Sequence, residues 1–146
     1  MNTQPFFVTP KDYPRPLNVV GEKIIVLASG AATGGYEIFL QQGPEGSGPP
    51  PHSHAWAETF YVLKGEVEFG YGDERIVATA GTLVHMPGAL THWFRARKGG
   101  CEMVVVTAQS GASKLFADID QEISPAAPSR EKLLELATRH EVTVNA

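Results

Sequence analysis

Turn-forming residues cut the apolar text of this chain into pieces too short for long helices. Of its 146 residues, 15 are glycine and 11 are proline. They bound short apolar runs at intervals that suit an all-β domain rather than alternating strands and helices. Candidate strands cover Val19 to Ala28, Tyr36 to Gln42, Thr59 to Leu63, Glu66 to Tyr71, Arg75 to Ala78, Thr82 to Met86, Thr91 to Ala96 and Cys101 to Ala108. Lys64-Gly65 is expected to be the tight turn of a hairpin over 59–71. The stretch Gly43 to Pro51 is dense in glycine and proline, which defeats both helix and central strand, so it must be a loop that delivers the chain to His52 in a fixed direction. With a strand at His52 the count is about nine, and corners of this composition favour a jelly-roll barrel.

Past Ser110 the pattern turns helical. Leu115, Phe116, Ile119 and Ile123 can form one apolar stripe. A second helix is expected to open at Ser129, whose hydroxyl can cap it after Pro128, and to run through Leu133, Leu136 and Ala137 toward His140. Both helices are expected to pack outside the barrel. Pro5, Pro10, Pro14 and Pro16 make the N-terminal segment an extended arm that lies on a surface or a partner subunit. The resulting division is an arm (1–18), a β-barrel domain (19–110) and a helical tail packing on the barrel (111–146).

A hydrophobic share of 42% over this length supports one domain with a real core. The net charge of -4 comes from 12 basic and 16 acidic residues without long runs, so nucleic acid is not an expected partner. A single cysteine, Cys101, cannot form an internal disulfide, and it is expected to be a small apolar strand residue. No secretory pattern opens the chain, and no stretch approaches the roughly 18 apolar residues of a membrane span. A cytoplasmic setting without membrane contact is the expectation.

Three of the five histidines, His52, His54 and His92, combine with Glu58 in a spacing that lets one ion collect four ligands from neighbouring strands. Side chains two apart on a strand share a face, so His52 and His54 can converge, and Glu58 keeps their parity. Imidazole and carboxylate suit one divalent transition metal, Fe, Mn, Ni, Cu or Zn, and three nitrogens with one oxygen leave positions open on an octahedral ion. If His92 faces inward, so do Leu90, Phe94 and Ala96, while Trp93, Arg95 and Arg97 face out. If Glu58 faces inward, so do Phe60 and Val62, followed by Val67, Phe69 and Tyr71. The pocket around the ion is then apolar and aromatic, drawn from Phe60, Val62, Phe69, Leu90 and Phe94. Trp56 either guards its mouth or buries itself at a subunit contact. His85 is expected on the opposite face and His140 toward solvent.

The text from Gly48 to Gly65, with His52-Ser-His54, Glu58 and Gly65, resembles the first motif of the cupins. Gly81 to Ala96, with Gly81, Pro87 and His92, resembles the second. The fifteen residues between Gly65 and Gly81 are similar to the short intermotif loop of small single-domain cupins. The second motif departs from the usual pattern, since Pro87-Gly88 are adjacent, Ala89 takes the usual glycine position and Ala96 stands where asparagine is often found. The style of Phe60-Tyr-Val-Leu-Lys-Gly65 and of the helical tail is similar to quercetin-dioxygenase-like cupins. The resemblance implies a double-stranded β-helix barrel, a metal at His52, His54, Glu58 and His92, and a homodimer. It also implies a dioxygenase acting on a small apolar or aromatic substrate with enol or catechol-type oxygens, with Glu58 able to loosen from the metal and act as general base. The alternatives are a non-redox isomerase or lyase on the same metal, and a small-molecule-binding module without catalysis.

Overall fold

The computed structural model describes residues 3–109 and 111–145. The domain boundary expected at Ser110 and the first and last residues of the arm and tail lie outside them. Nine strands are found among the described residues: β1 (Leu17–Val19), β2 (Glu22–Ala28), β3 (Tyr36–Gly43), β4 (His52–Ser53), β5 (Glu58–Tyr71), β6 (Glu74–Ala78), β7 (Leu83–Met86), β8 (His92–Ala108) and β9 (Thr143–Val144). Three helices accompany them: α1 (Gly30–Thr33), α2 (Gly111–Glu122) and α3 (Arg130–Arg139). All pairings are antiparallel. One path runs β1-β2-β3-β8-β4-β9, and β5 joins β8 to β6 and β7, which curls the sheet into a jelly-roll barrel.

The alternation expected of half-buried strands is carried by the two long ones. On β5, Glu58, Phe60, Val62, Val67 and Phe69 are buried while Tyr61 and Leu63 are exposed. On β8, His92, Phe94 and Ala96 are buried and Arg95 and Arg97 exposed. Tyr71, expected inside by the same parity, is 39% exposed. It is the last residue of β5, at the turn that Gly72 opens, still paired with His92 of β8 and Glu74 of β6. Phe60, Phe69 and Phe94 form a three-ring cluster with centroids 5.0, 5.6 and 5.7 Å apart. Burying one such ring is worth about 2–3 kcal/mol, and each pair adds about 0.5–1.5 kcal/mol.

Two glycine-bearing sites expected to end strands bend them instead. Lys64-Gly65 does not close a hairpin, because β5 runs through it with register shifts at Val62/Lys64 and Gly65/Val67. Gly65 has φ +79°, and a Cβ there would stand 2.1 Å from the Gly100 carbonyl oxygen, so the close crossing of β5 on β8 requires glycine. The candidate strands 91–96 and 101–108 are likewise one strand, β8, bent at Gly99 and Gly100. The opposite correction applies to Val19–Ala28, which a turn at Val20 and Gly21 splits into β1 and β2.

The arm is exposed through Pro10 and holds a 3-10 turn at Pro10–Asp12. It ends on the helical tail, where Arg15 pairs with Asp120 of α2 at 2.5 Å and the Asn18 amide donates to the same carboxylate at 2.8 Å. Glu37, fully buried on β3, accepts from the Ser113 amide at 2.9 Å and from the Gly30 amide at 2.9 Å. One carboxylate thus satisfies free donors at the starts of both α1 and α2. The Ser129 hydroxyl caps α3 by accepting from the Lys132 amide, as its sequence position predicts. The two larger helices pack on the sheet, but not wholly outside it: Leu115, Phe116, Ile119, Leu133, Leu134 and Ala137 form one wall of an internal cavity.

Candidate metal centre

Four chain segments meet at one end of that cavity. The glycine- and proline-rich loop lies so close on β8 that a Cβ at Gly48 would stand 2.0 Å from the Phe94 carbonyl oxygen. This contact sets the loop's course into β4, where His52 pairs directly with His92. β4 ends at Ser53, so His54 sits on the following turn and Glu58 opens β5. The four side chains converge because the turn folds back, not because one strand keeps their parity. Their ligand atoms all lie within 4.8 Å of one another. His54, Glu58 and His92 are buried and His52 is half-buried.

Each imidazole is oriented from behind by a backbone carbonyl. His52 Nδ1 lies 2.9 Å from the Pro50 oxygen, His54 Nδ1 2.9 Å from the Trp56 oxygen and His92 Nδ1 2.8 Å from the Leu90 oxygen. A carbonyl oxygen only accepts, so each Nδ1 carries the hydrogen and each neutral ring keeps its Nε2 lone pair for a ligand. Glu58 Oε1 lies 2.7 Å from His54 Nε2 and 3.2 Å from His92 Nε2. Adjacent ligand atoms at about 2.0–2.2 Å from one ion stand roughly 3 Å apart, which is the spacing between Glu58 and each of His54 and His92. Without a cation, a proton must sit between these lone pairs. The donor set and its fixed tautomers therefore fit a divalent transition metal.

The electrostatics run the same way for two of the ligands. Burial, with the neighbouring His92 charge, pushes His52 down to about 4. Burial would raise Glu58, but hydrogen bonds from His54 and His92 and their charge outweigh it and hold the carboxyl at about 2. A neutral imidazole and an ionised carboxylate at neutral pH are the forms a metal binds. For His92, burial acts downward but is outweighed by the hydrogen bonds to Glu58 and the Leu90 carbonyl and by the Glu58 charge, so the group is raised.

The cavity beside the ligands has a volume of about 190 Å³. Trp56 and Phe94 line it. Trp56 stacks on His54 with centroids 4.2 Å apart and planes 9° apart, and it is buried within the chain. A Cβ at Gly111 would stand 2.7 Å from the Trp56 ring, so the start of α2 closes down on the indole. Phe60, Val62 and Phe69, expected in the wall, fill the barrel beneath it, and half-buried Leu90 contributes the carbonyl that orients His92. The helical stripe took their place: Leu115, Phe116 and Ile119 were legible as an apolar face, but nothing in their spacing says which surface they cover. The sequence reading also missed Glu22 and Gln41, which bring polar atoms to this wall from β2 and β3.

The remaining histidines are elsewhere. His85 lies on the outer face of β7 with Nδ1 2.9 Å from Thr59 Oγ1. His140 is half-buried at the end of α3 rather than turned to solvent, with Nε2 2.6 Å from Asp118 of α2. Cys101 is buried, and burial followed by the charge of Glu22 pushes its thiol up to about 11, which leaves it unreactive. No helix among the described residues is long and apolar enough to cross a membrane.

The family model described as the cupin domain matches residues 39–108, a span that contains all four ligand positions. No curated protein sequence matches. Among solved structures, KdgF from Halomonas sp. is 16% identical with a TM-score of 0.65, over 73% of this chain and 94% of its own. An RmlC-like cupin from Shewanella frigidimarina is 17% identical with a TM-score of 0.65, over 75% and 96%. The polyketide cyclase RemF from Streptomyces resistomycificus is 18% identical with a TM-score of 0.61, over 72% and 80%. At these identities the likeness is one of fold. With the motif residues gathered at the mouth of a curled antiparallel sheet, residues 39–108 match the cupin domain, and the chain has the jelly-roll fold of these solved structures.

Proposed function

We propose that the protein is a metal-dependent dioxygenase for a small apolar or aromatic substrate bearing enol or catechol-type oxygens. The observation that carries this reading is the ligand set itself: three imidazoles with tautomers fixed by carbonyls, facing one carboxylate beside a mostly apolar cavity. A divalent transition metal held by His52, His54, Glu58 and His92 supplies Lewis acidity and, if redox-active, electron transfer to dioxygen. The chain's own residues bind and orient. Trp56, Phe94 and the helical wall exclude water from the ligand and hold its ring, and Glu58 is engaged by His54 and His92 through the same oxygen.

Volume limits the substrate. An engineered apolar cavity of about 150 Å³ binds benzene. The cavity of about 190 Å³ here suits one ring with a few substituents. A three-ring flavonol, the substrate of the quercetinase type, exceeds it, so catechol-sized molecules or small enols are favoured. A second reading, a non-redox isomerase or lyase, is supported by the buried carboxyl of Glu22 on the cavity wall, since proton transfer needs such a group.

Elemental analysis of protein purified without a metal-affinity tag, beside His54→Ala, tests the site. About one transition metal per chain is expected, with affinity falling more than about 10-fold in the variant. Metal content that survives the substitution refutes the site. Oxygen uptake with single-ring catechols, and little with flavonols, then supports the dioxygenase. Product formation without oxygen consumption transfers the reading to the isomerase or lyase.

A further inference from the structure

The cavity wall carries one carboxyl that the metal site does not use. Glu22, at the start of β2, is 5% exposed and lines the cavity together with Gln41 of β3. Gln41 Nε2 donates to Glu22 Oε1 at 3.1 Å. The other oxygen, Oε2, is buried with no hydrogen-bond partner. Satisfying one oxygen and leaving the second bare is costly for a group that only holds the fold together. Gln41 fixes the plane of the carboxyl, and Oε2 is left against Gly43 near the Ser47 hydroxyl, which is likewise buried without a partner, so both are open to a ligand's polar groups.

The other ionisable side chains of this wall are already committed or sit elsewhere. His52, His54 and Glu58 belong to the ligand set, and Arg130 is exposed at the start of α3. Glu58 shares its Oε1 between two imidazoles, so it is poorly placed to receive a proton while it serves as a ligand. From β3 Glu22 is faced by Gln41, and from β8 by the Cys101 thiol, which is neutral. No cation pairs with it among the described residues. On binding a metal, a phenol or enol loses its hydroxyl proton, and in an apolar cavity that proton needs a receiver within the wall.

Resting on the metal site proposed above, we propose that Glu22, oriented by Gln41, is the proton acceptor for the substrate's hydroxyl, and that the substrate is therefore a neutral or singly ionised phenol or enol that ionises further on binding. The O–H bond of the substrate breaks, its electron pair stays on the substrate oxygen, and the proton forms a new O–H bond on Glu22; a metal held by the four ligands would stabilise the charge left behind. The same proton is available to return to product, so the carboxyl acts first as base and then as acid. Its pKa suits both tasks: burial raises it, the Gln41 hydrogen bond only partly opposes this, and the carboxyl titrates at about 7.

The test counts protons. Protein loaded with Zn²⁺, which has no redox chemistry, is titrated with 4-nitrocatechol by calorimetry in buffers of different ionisation enthalpy. Above neutral pH, Glu22→Gln should release about one more proton to the buffer per probe bound than the wild type does, because it has lost the internal acceptor. Gln41→Met should move the pH at which the wild type captures that proton upward, since a hydrogen bond that favours the ionised form is gone. Equal proton counts in wild type and Glu22→Gln overturn the proposal, whatever happens to melting temperature, which is all that a structural carboxyl would change. Protein that holds zinc but leaves the probe unbound overturns it as well, together with the substrate class. Failure to hold zinc at all is read separately from metal content and removes the site on which the proposal stands.

Discussion

A carboxylic acid on an apolar wall weakens the fold only when it ionises, and Glu22 makes that cost measurable. Its pKa is raised from 4.5 to about 7, with burial the largest cause. Below 4.5 the folded and unfolded chains are both protonated and the residue contributes nothing to the pH dependence. Between 4.5 and 7 the unfolded chain ionises while the folded one does not, so stability falls as pH rises, and above 7 the loss is complete. The size of the shift corresponds to about 3 kcal/mol. Glu22→Gln keeps an acceptor for Gln41 and removes the titration. In urea unfolding the variant should match the wild type near pH 4 and exceed it by up to about 3 kcal/mol near pH 8. A difference between the two that does not change with pH would show that Glu22 ionises normally. The convergence of His52, His54, Glu58 and His92 was legible because their spacing is local and their chemistry rare. Glu22 was not: it shares parity with Ile24, but a glutamate beside a lysine at a strand end reads as a solvated edge until the helices are known to cover it.

The turn before β8 shows how an element can keep its geometry after losing the residue that favours it. Ala89 stands where the cupin motif usually has glycine, and it adopts φ +66°, the left-handed conformation that glycine takes freely. The Ala89 amide donates to the His54 carbonyl at 2.8 Å, so the turn joins the His54 segment to the approach of His92. The shape needed to hold two ligands has prevailed over the local preference of alanine. That conformation costs roughly 1–2 kcal/mol for an L-residue, and glycine returns about 0.4–1 kcal/mol through its freer unfolded chain. Ala89→Gly should therefore stabilise the protein by about 0.5–1 kcal/mol in urea unfolding while leaving metal affinity unchanged. A destabilised variant would mean that the turn is not strained. At this scale strand alternation was legible, but the bends were not. Gly65 and Gly99-Gly100 carry the same signals as true turns, and only the partner strand, crossing within 2.1 Å of a would-be Cβ at Gly65, decides that the chain bends and continues.

The molecule as a whole is closed by contacts that no local pattern announces. β9 returns after α3 to pair with β4, Ser53 opposite Thr143, so the end of the helical tail is bonded to the strand that carries His52. Together with α2 and α3 this return makes the cavity wall, which explains why the barrel was predictable from sequence and the pocket only in part. The same closure links metal binding to global stability. The ligands come from β4, the turn after it, β5 and β8, and residues as far apart as His52 and His92 must be brought together before one ion can touch all four. The unfolded chain cannot offer that set, so a metal bound there would stabilise the folded state by mass action. Free metal at 100 times its dissociation constant is worth about 2.7 kcal/mol. For a chain of this size each kcal/mol moves the melting temperature by about 2–4 °C. Removing the ion with a chelator should lower the melting temperature by about 5–10 °C, and adding back the metal should restore it. His54→Ala, already short of one ligand, should show a much smaller response to either treatment. If the wild type carries metal by elemental analysis and yet melts at the same temperature after chelation, the ion is held somewhere that folding does not assemble, and the four-residue site is the wrong one.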